Sequence, residues 1–351
     1  MKVGSQEKRH SLLTDRENLI LNCIVESYVQ RAKPVGSRFL AKKYQLGISP
    51  ATIRNVMNDL EEKGFLTQPH VSAGRIPTDK GYRHFVDRIK LVQFLSRNDR
   101  RIILENLRKD NVEAEEIFEK ASQILGNISS QLGVVLEPRF QEGVFEKMEL
   151  VPLADGKVLA VISIKSGLIK TIVMEVKADL SRDQLLGASR LINERLHGLA
   201  LQKIRETIGA RLGSVPDEDH KNLILLIIKS SDRLFNFDDQ LDLHLGGTHN
   251  IVSNPEFSER KDTARILELI ESKDRLLTHF SKINDEEIAI SIGEENHSEL
   301  FRNCSIISSR YKFGGIAGAL GVVGPTRMHY PKIISLVEYM GRVLSQQLHS
   351  G

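Results

Sequence analysis

The stretch from Ser49 to Gly64 constrains this chain most, because both ends of a helix are written into it. Ser49 can accept from a free first-turn N–H, Pro50 fits the first turn, and Gly64 tolerates positive φ where the helix stops. At helical spacing Ile53, Val56, Met57 and Leu60 fall on one narrow face, while Ala51, Arg54, Asn55 and Asn58 point the other way. That outward face carries the chemistry. Arg and Asn can make paired hydrogen bonds to guanine and adenine edges, and the small Ala51 admits a close approach. The spacing predicts a DNA recognition helix.

Its neighbours in sequence support this reading. Thr14-Asp15-Arg16-Glu17 forms a capping box opening a helix that buries Leu19, Ile20, Cys23, Ile24 and Tyr28 and ends before Pro34. A second, short helix from Ser37 to Tyr44 turns Leu40, Ala41 and Tyr44 inward and Arg38, Lys42 and Lys43 outward. Leu46-Gly47-Ile48 is then the tight turn of a helix-turn-helix. After the recognition helix, Phe65-Leu66-Thr67 and Arg75-Ile76-Pro77 flank a polar loop, Gln68 to Gly74, before Thr78 caps another helix. A hairpin in this position is a wing, whose tip residues His70, Ser72, Gly74 and Arg75 can lie on phosphates or enter the minor groove. Arg38, Lys42 and Lys43 can hold phosphates and set the angle of entry, although exposed cations on a helix need no such role.

Charge is divided unevenly along the chain. Residues 1–90 hold 16 Lys+Arg against 9 Asp+Glu, and the remainder holds 33 against 37. A basic segment on a neutral to acidic body is the electrostatic footprint of nucleic-acid binding. With 351 residues and 40% hydrophobic content, two or three domains with substantial cores are expected. Two cysteines in apolar runs, Cys23 and Cys304, read as buried thiols of a reducing compartment. A polar, charged start and the lack of a membrane-length apolar run lead to the expectation of a cytoplasmic protein, and DNA binding to that of nucleoid association when bound.

Ser96 to Leu132 is helical and charged, either a linker helix or one leading into the next domain. From Phe145 the period changes to strands, at Phe145–Leu153, Val158–Ile164 and Ile169–Val176, with turns at Asp155-Gly156 and Ser166-Gly167. Turns this short predict an antiparallel meander. Ser181 caps a helix to Leu196, and residues 200–282 read as mostly helical, with Leu223–Ile228 a buried helix or a strand. Strand signals return at Glu287–Ile292, Cys304–Tyr311 and Ile316–Val323, and Pro331–Leu348 closes the chain as a helix. Two groups of three strands with helical chain between them suggest one sheet domain carrying an insertion. The fold class is α+β.

The run from Ser49 to Gly64, followed by Ser72-Ala73-Gly74-Arg75-Ile76-Pro77-Thr78-Asp79-Lys80-Gly81-Tyr82-Arg83, closely resembles the bacterial heat-inducible transcription repressor family HrcA. Gly324-Pro325-Thr326-Arg327-Met328 before Tyr330 resembles that family's C-terminal signature. The resemblance implies a winged helix-turn-helix at 1–90, a GAF-like sheet domain with its linker helix at 91–198 and 283–351, and an inserted dimerisation segment at 199–282. A single recognition helix reads few base pairs, so specificity requires a homodimer on an inverted repeat. The resemblance names that repeat as the CIRCE element of chaperone operons, with release on heat shock and a GroEL-type chaperonin assisting the repressor. The expected DNA-contacting set is Ser49, Ala51, Thr52, Arg54, Asn55, Asn58, Arg38, Lys42, Lys43, Ser72 and Arg75.

Motifs for other functions are weak. Gly314, Gly315, Gly318, Gly321 and Gly324 match neither a dinucleotide fingerprint nor a P-loop and are better explained by turns and close packing. Arg327 could bind an anionic effector, but pairing with a carboxylate is the favoured reading. Asp238, Asp239, Asp242 and His244 lack the remaining positions of a calcium loop. The histidines form no zinc motif, and no Gly-x-Ser-x-Gly elbow occurs, so neither an enzyme nor a cofactor is indicated. The alternative is a ligand-responsive winged-helix regulator whose GAF-like domain binds a small effector.

Overall fold

The computed structural model describes residues 13–71, 73–89, 95–107, 114–138, 143–165, 169–176, 181–213, 218–235, 243–281, 288–313 and 316–346. Ser72, Gly314, Gly315, Asp238, Asp239, Asp242, the Ser166-Gly167 turn and the end of the closing helix at Leu348 lie outside them.

The head begins with α1 (Asp15–Arg31), entered through the expected box: Glu17 N–H donates to Thr14 Oγ1 at 3.3 Å and Thr14 N–H to Glu17 Oε2 at 2.7 Å. α1 is enclosed on several sides, by α2 (Ser37–Tyr44), α3 (Pro50–Glu62) and α4 (Asp79–Asp87). Its buried set is therefore wider than a single stripe. Leu21 and Val25 are buried with Ile20, Cys23 and Ile24, whereas Leu19, expected inside, is 47% exposed. Between α3 and α4 lies a two-stranded hairpin, β1 (Leu66–Thr67) with β2 (Ile76–Pro77).

The body is built on an antiparallel five-stranded sheet in the order β7 (Leu243–Gly246), β3 (Leu132–Leu136), β10 (Ile316–Pro325), β9 (Cys304–Phe313), β8 (Ala289–Ile292). Alternate residues serve opposite cores, as the period of a strand requires. On β3, Val135 joins a cluster with α5 (Arg97–Leu107), α6 (Ala114–Ser129), α14 (Tyr330–Gln346) and the head helices. Leu132, Val134 and Leu136 join a second with α11 (Thr248–Val252), α12 (Arg260–Glu271) and α13 (Lys273–Ser281).

The expected single sheet of six strands does not form. β4 (Phe145–Leu153), β5 (Lys157–Ile164) and β6 (Ile169–Glu175) make the expected meander, but as a separate three-stranded sheet. Their core is shared with α7 (Arg182–Leu196), α8 (Leu201–Leu212), α9 (Glu218–Lys229) and α10 (Ser231–Phe235). Leu223–Ile228 is thus helical. One hydrophobic core draws on residues between 145 and 235 together with Ile316, and α11 to α13 pack in the core of the five-stranded sheet. The missing members were β3 and β7. β3 is buried along its whole length on both faces, so it lacks the alternation that marks a strand.

Candidate nucleic-acid interface

α3 is held as its end signals require. Thr52 N–H donates to Ser49 Oγ at 3.1 Å, Pro50 occupies the first turn, and Gly64 follows with φ of +77°. Ile53, Val56, Met57 and Leu60 are buried, and Ala51, Arg54, Asn55 and Asn58 are exposed. Thr52 is half-buried, its hydroxyl 2.9 Å from Ser49 Oγ. α2 packs against α3 and presents Arg38, Lys42 and Lys43 to solvent. Lys43 donates to Gln30 Oε1 at 2.9 Å and lies over the Tyr44 ring at 5.0 Å. Among the described residues nothing hydrogen-bonds or ion-pairs with the side chains of Arg38, Lys42, Arg54 or Asn55.

The hairpin loop is tied internally by Gln68, whose Nε2 donates to the carbonyls of Val71 and Ala73, both at 2.9 Å. At its tip His70 is exposed and Val71 is 99% exposed. Arg75 behaves differently from a tip residue. Its backbone pairs with Val35, each N–H donating to the other's carbonyl at 2.9 Å. The guanidinium, only 15% exposed, reaches back to α3, with Nη2 2.7 Å from Glu61 Oε2 and donating to Asn58 Oδ1 at 3.1 Å. The structure therefore brings Ser49, Ala51, Thr52, Arg54, Asn55 and Asn58 together on one helix with Arg38, Lys42 and Lys43 beside it, and fastens Arg75 to that helix's flank.

Two carboxylates escaped the sequence reading. Glu61 anchors Arg75, and Glu17, legible only as a cap, also receives Lys63 Nζ at 2.6 Å. The Lys63 hydrogen bond, aided by those from Thr14, holds the Glu17 carboxyl below its usual range against the opposing effect of burial. Such partners lie far apart in the chain, and no local spacing announces them. Elsewhere Arg327 meets a carboxylate, as favoured: its Nε donates to Glu256 Oε1 at 2.7 Å. His244 pairs with Glu137 Oε1 at 2.8 Å. Among the described residues no helix is long and apolar enough to cross a membrane.

The family description "HrcA protein C terminal domain" matches residues 115–334. Curated relatives titled heat-inducible transcription repressor HrcA match almost end to end. That of Chlorobium phaeobacteroides (strain BS1) is 40% identical over 96% of this chain and 98% of the relative. That of Prosthecochloris aestuarii is 41% identical over 95% and 97%, and that of Chlorobaculum tepidum 42% over 96% and 98%. A solved structure titled as a hypothetical protein at 2.2 Å shares the fold, with a TM-score of 0.67 and 22% identity over 96% of this chain and 99% of that one. Similarity on this scale defines the class of protein as a transcription repressor, a regulator and not an enzyme. The chain belongs to the HrcA family of heat-inducible transcription repressors.

Proposed function

We propose that the head is a winged helix-turn-helix that reads double-stranded DNA with the outward face of α3, two heads per homodimer meeting an inverted-repeat operator of the CIRCE type. The observation that carries this is the open face of Ala51, Arg54, Asn55 and Asn58, flanked by the cations of α2. Arg54 and Asn55 read base edges, while Arg38, Lys42 and Lys43 take phosphates. Arg75 serves first by holding the wing and would have to leave Glu61 to reach DNA. The proposed homodimer can use the outer face of the inserted meander, where Val151, Leu159 and Val173 form a cross-strand row and Ile169 is 67% exposed. Repression follows from occupancy that blocks polymerase. Heat releases the operator by destabilising the fold, and a GroEL-type chaperonin restores it.

The five-stranded body is read as GAF-like, which raises the question of an effector. A cavity of about 560 Å³ between α5, α6 and α14 is lined by Asp99, Lys120, Asn127 and Lys332. Its cations are already engaged, Lys120 with Glu116 and Lys332 with the Ile128 carbonyl at 3.0 Å. This favours control through folding state over control by an anionic effector.

The test is fluorescence anisotropy on an inverted-repeat duplex and on random duplex, before and after brief heating. Arg54→Ala and Asn55→Ala should each weaken the operator about 5- to 150-fold, the worth of one paired base contact at about 1–3 kcal/mol, and hardly change random DNA. Equal losses on both duplexes would show that these residues touch only phosphates.

A further inference from the structure

The two sequence signatures, separated by more than two hundred residues, meet at one seam. From the head, Asp79-Lys80-Gly81-Tyr82-Arg83 forms the first turns of α4; from the body, Gly324 to Tyr330 joins β10 to α14. Arg83 forks onto Glu295, with Nε to Oε1 at 2.9 Å and Nη2 to Oε2 at 2.5 Å, and Nη2 also donates to the Ile290 carbonyl at 2.7 Å. Glu295 is itself fixed by the Ile292 N–H at 2.9 Å. Beside it, Glu294 N–H donates to Asp79 Oδ2 at 3.1 Å, and the fit is so close that a Cβ on Gly293 would fall 1.8 Å from that oxygen.

A second fastening runs in the opposite direction. Arg327 of the body, 16% exposed at its side chain, donates from Nη1 to the Val29 carbonyl of α1 at 3.0 Å and from Nε to Glu256 at 2.7 Å. Between the two fastenings the buried rings of Tyr82 and Tyr330 lie 5.7 Å apart, and one hydrophobic cluster continues from the head into α14. None of these groups touches the outward face of α3, which remains open with the head docked.

A bidentate arginine fork fixes direction as well as distance, which a purely apolar seam does not. We infer that Arg83 and Arg327 are positioning residues that lock the reading head onto the body, so that the half-site spacing the repressor accepts is set by the body. This rests on the proposed reading of an inverted repeat by two heads. A head locked in place presents its helix at one separation and one rotational phase, and DNA turns about every 10.5 base pairs, so a fixed pair of heads discriminates sharply among spacers. Freed heads reach more spacings, each at a lower effective concentration.

Full-length Arg83→Glu, Glu295→Arg and the double charge swap test this. Operator duplexes are varied in the number of base pairs between half-sites. The wild-type protein should show a sharp optimum. Arg83→Glu should lose about tenfold to a hundredfold on the best spacer and prefer it less, and the swap should recover both properties. A readout without DNA accompanies it: electron-spin distance measurement between labels at Glu62→Cys and Lys312→Cys, both exposed positions, with Cys23 and Cys304 buried. Wild type and swap should give one narrow distribution and Arg83→Glu a broad one. An unchanged distribution in a folded Arg83→Glu protein overturns the inference, as does an unchanged spacer profile. Absence of any operator preference in the wild type defeats the DNA reading instead, and the distance distribution still decides the lock.

Discussion

The hairpin that follows α3 is tied to the head at a point where only glycine fits. A Cβ on Gly74 would lie 2.4 Å from the carbonyl carbon and oxygen of Val35 and 2.7 Å from its nitrogen, all backbone atoms with no rotamer to yield. Gly74→Ala must therefore push the loop away from residue 35. The cost is the pair of reciprocal backbone bonds between Val35 and Arg75, both 2.9 Å. At about 0.5–1.5 kcal/mol each, their loss amounts to about 1–3 kcal/mol, or roughly 5- to 150-fold in the population of docked wing. The Val35 and Arg75 amide hydrogens report this directly. In native-state hydrogen exchange both should lose protection by that factor in Gly74→Ala, while amides within α3, such as that of Val56, keep theirs. If the wing contributes to DNA binding, operator affinity should fall without a comparable fall in thermal midpoint. Retained protection at both amides would show that the backbone accommodates a methyl group and that this close approach does not anchor the wing.

Glu17→Gln should destabilise the head at neutral pH by removing the charge that Lys63 meets. The folded-state pKa of Glu17 is depressed, so its contribution is full above the ordinary carboxylate value of 4.5 and lost as pH falls through the folded value. The stability gap between wild type and Glu17→Gln, measured by urea melts, should accordingly narrow below about pH 4.5, and a gap independent of pH would exclude the ion pair as its source. Burial pushes the Cys23 thiol up to about 11 and that of Cys304 up to about 12, so neither should react with an alkylating reagent at pH 8 while folded. On heating, Cys23 reports opening of the head and Cys304 opening of the body; operator release with both thiols still protected would refute release by unfolding. Arg75→Ala bares the Glu61 carboxylate on α3 and should weaken operator binding, and Glu61→Ala in the same chain should restore part of the loss. No restoration would mean that Arg75 acts on DNA directly.

What the sequence disclosed was what short-range physics decides. Ser49, Thr14 and Ser181 cap the helices they were expected to cap, and Asp155 and Gly156, with φ of +61° and +67°, turn the β4–β5 hairpin. The assembly of strands into sheets is another matter. Pairing of Leu136 with Ala319, and of Val134 with Leu245, joins segments more than a hundred residues apart in both cases, and neither leaves a local mark. A meander whose own turns are short closes its own ladder, and nothing in its pattern says whether an edge strand will accept a further neighbour. β4 and β6 are edges here, with α7 packed on β4 and a core shared with α8 to α10 and with Ile316 of β10.

The same distinction separates the two arginines expected to contact DNA, Arg54 and Arg75. Arg54 was assigned from a helical period, which fixes direction because consecutive turns repeat, and it is exposed as that period requires. Arg75 was assigned from its place beside a glycine in a hairpin, which fixes a turn and leaves direction open. With Glu61 within reach on the neighbouring helix, a charge-assisted contact holds the guanidinium against the protein, and the wing gains a support where a free cation was expected. Shape and charge thus serve one end: Lys63 and Arg75 neutralise Glu17 and Glu61, and Arg38, Lys42 and Arg54, which have no ion-pair partner among the described residues, are exposed.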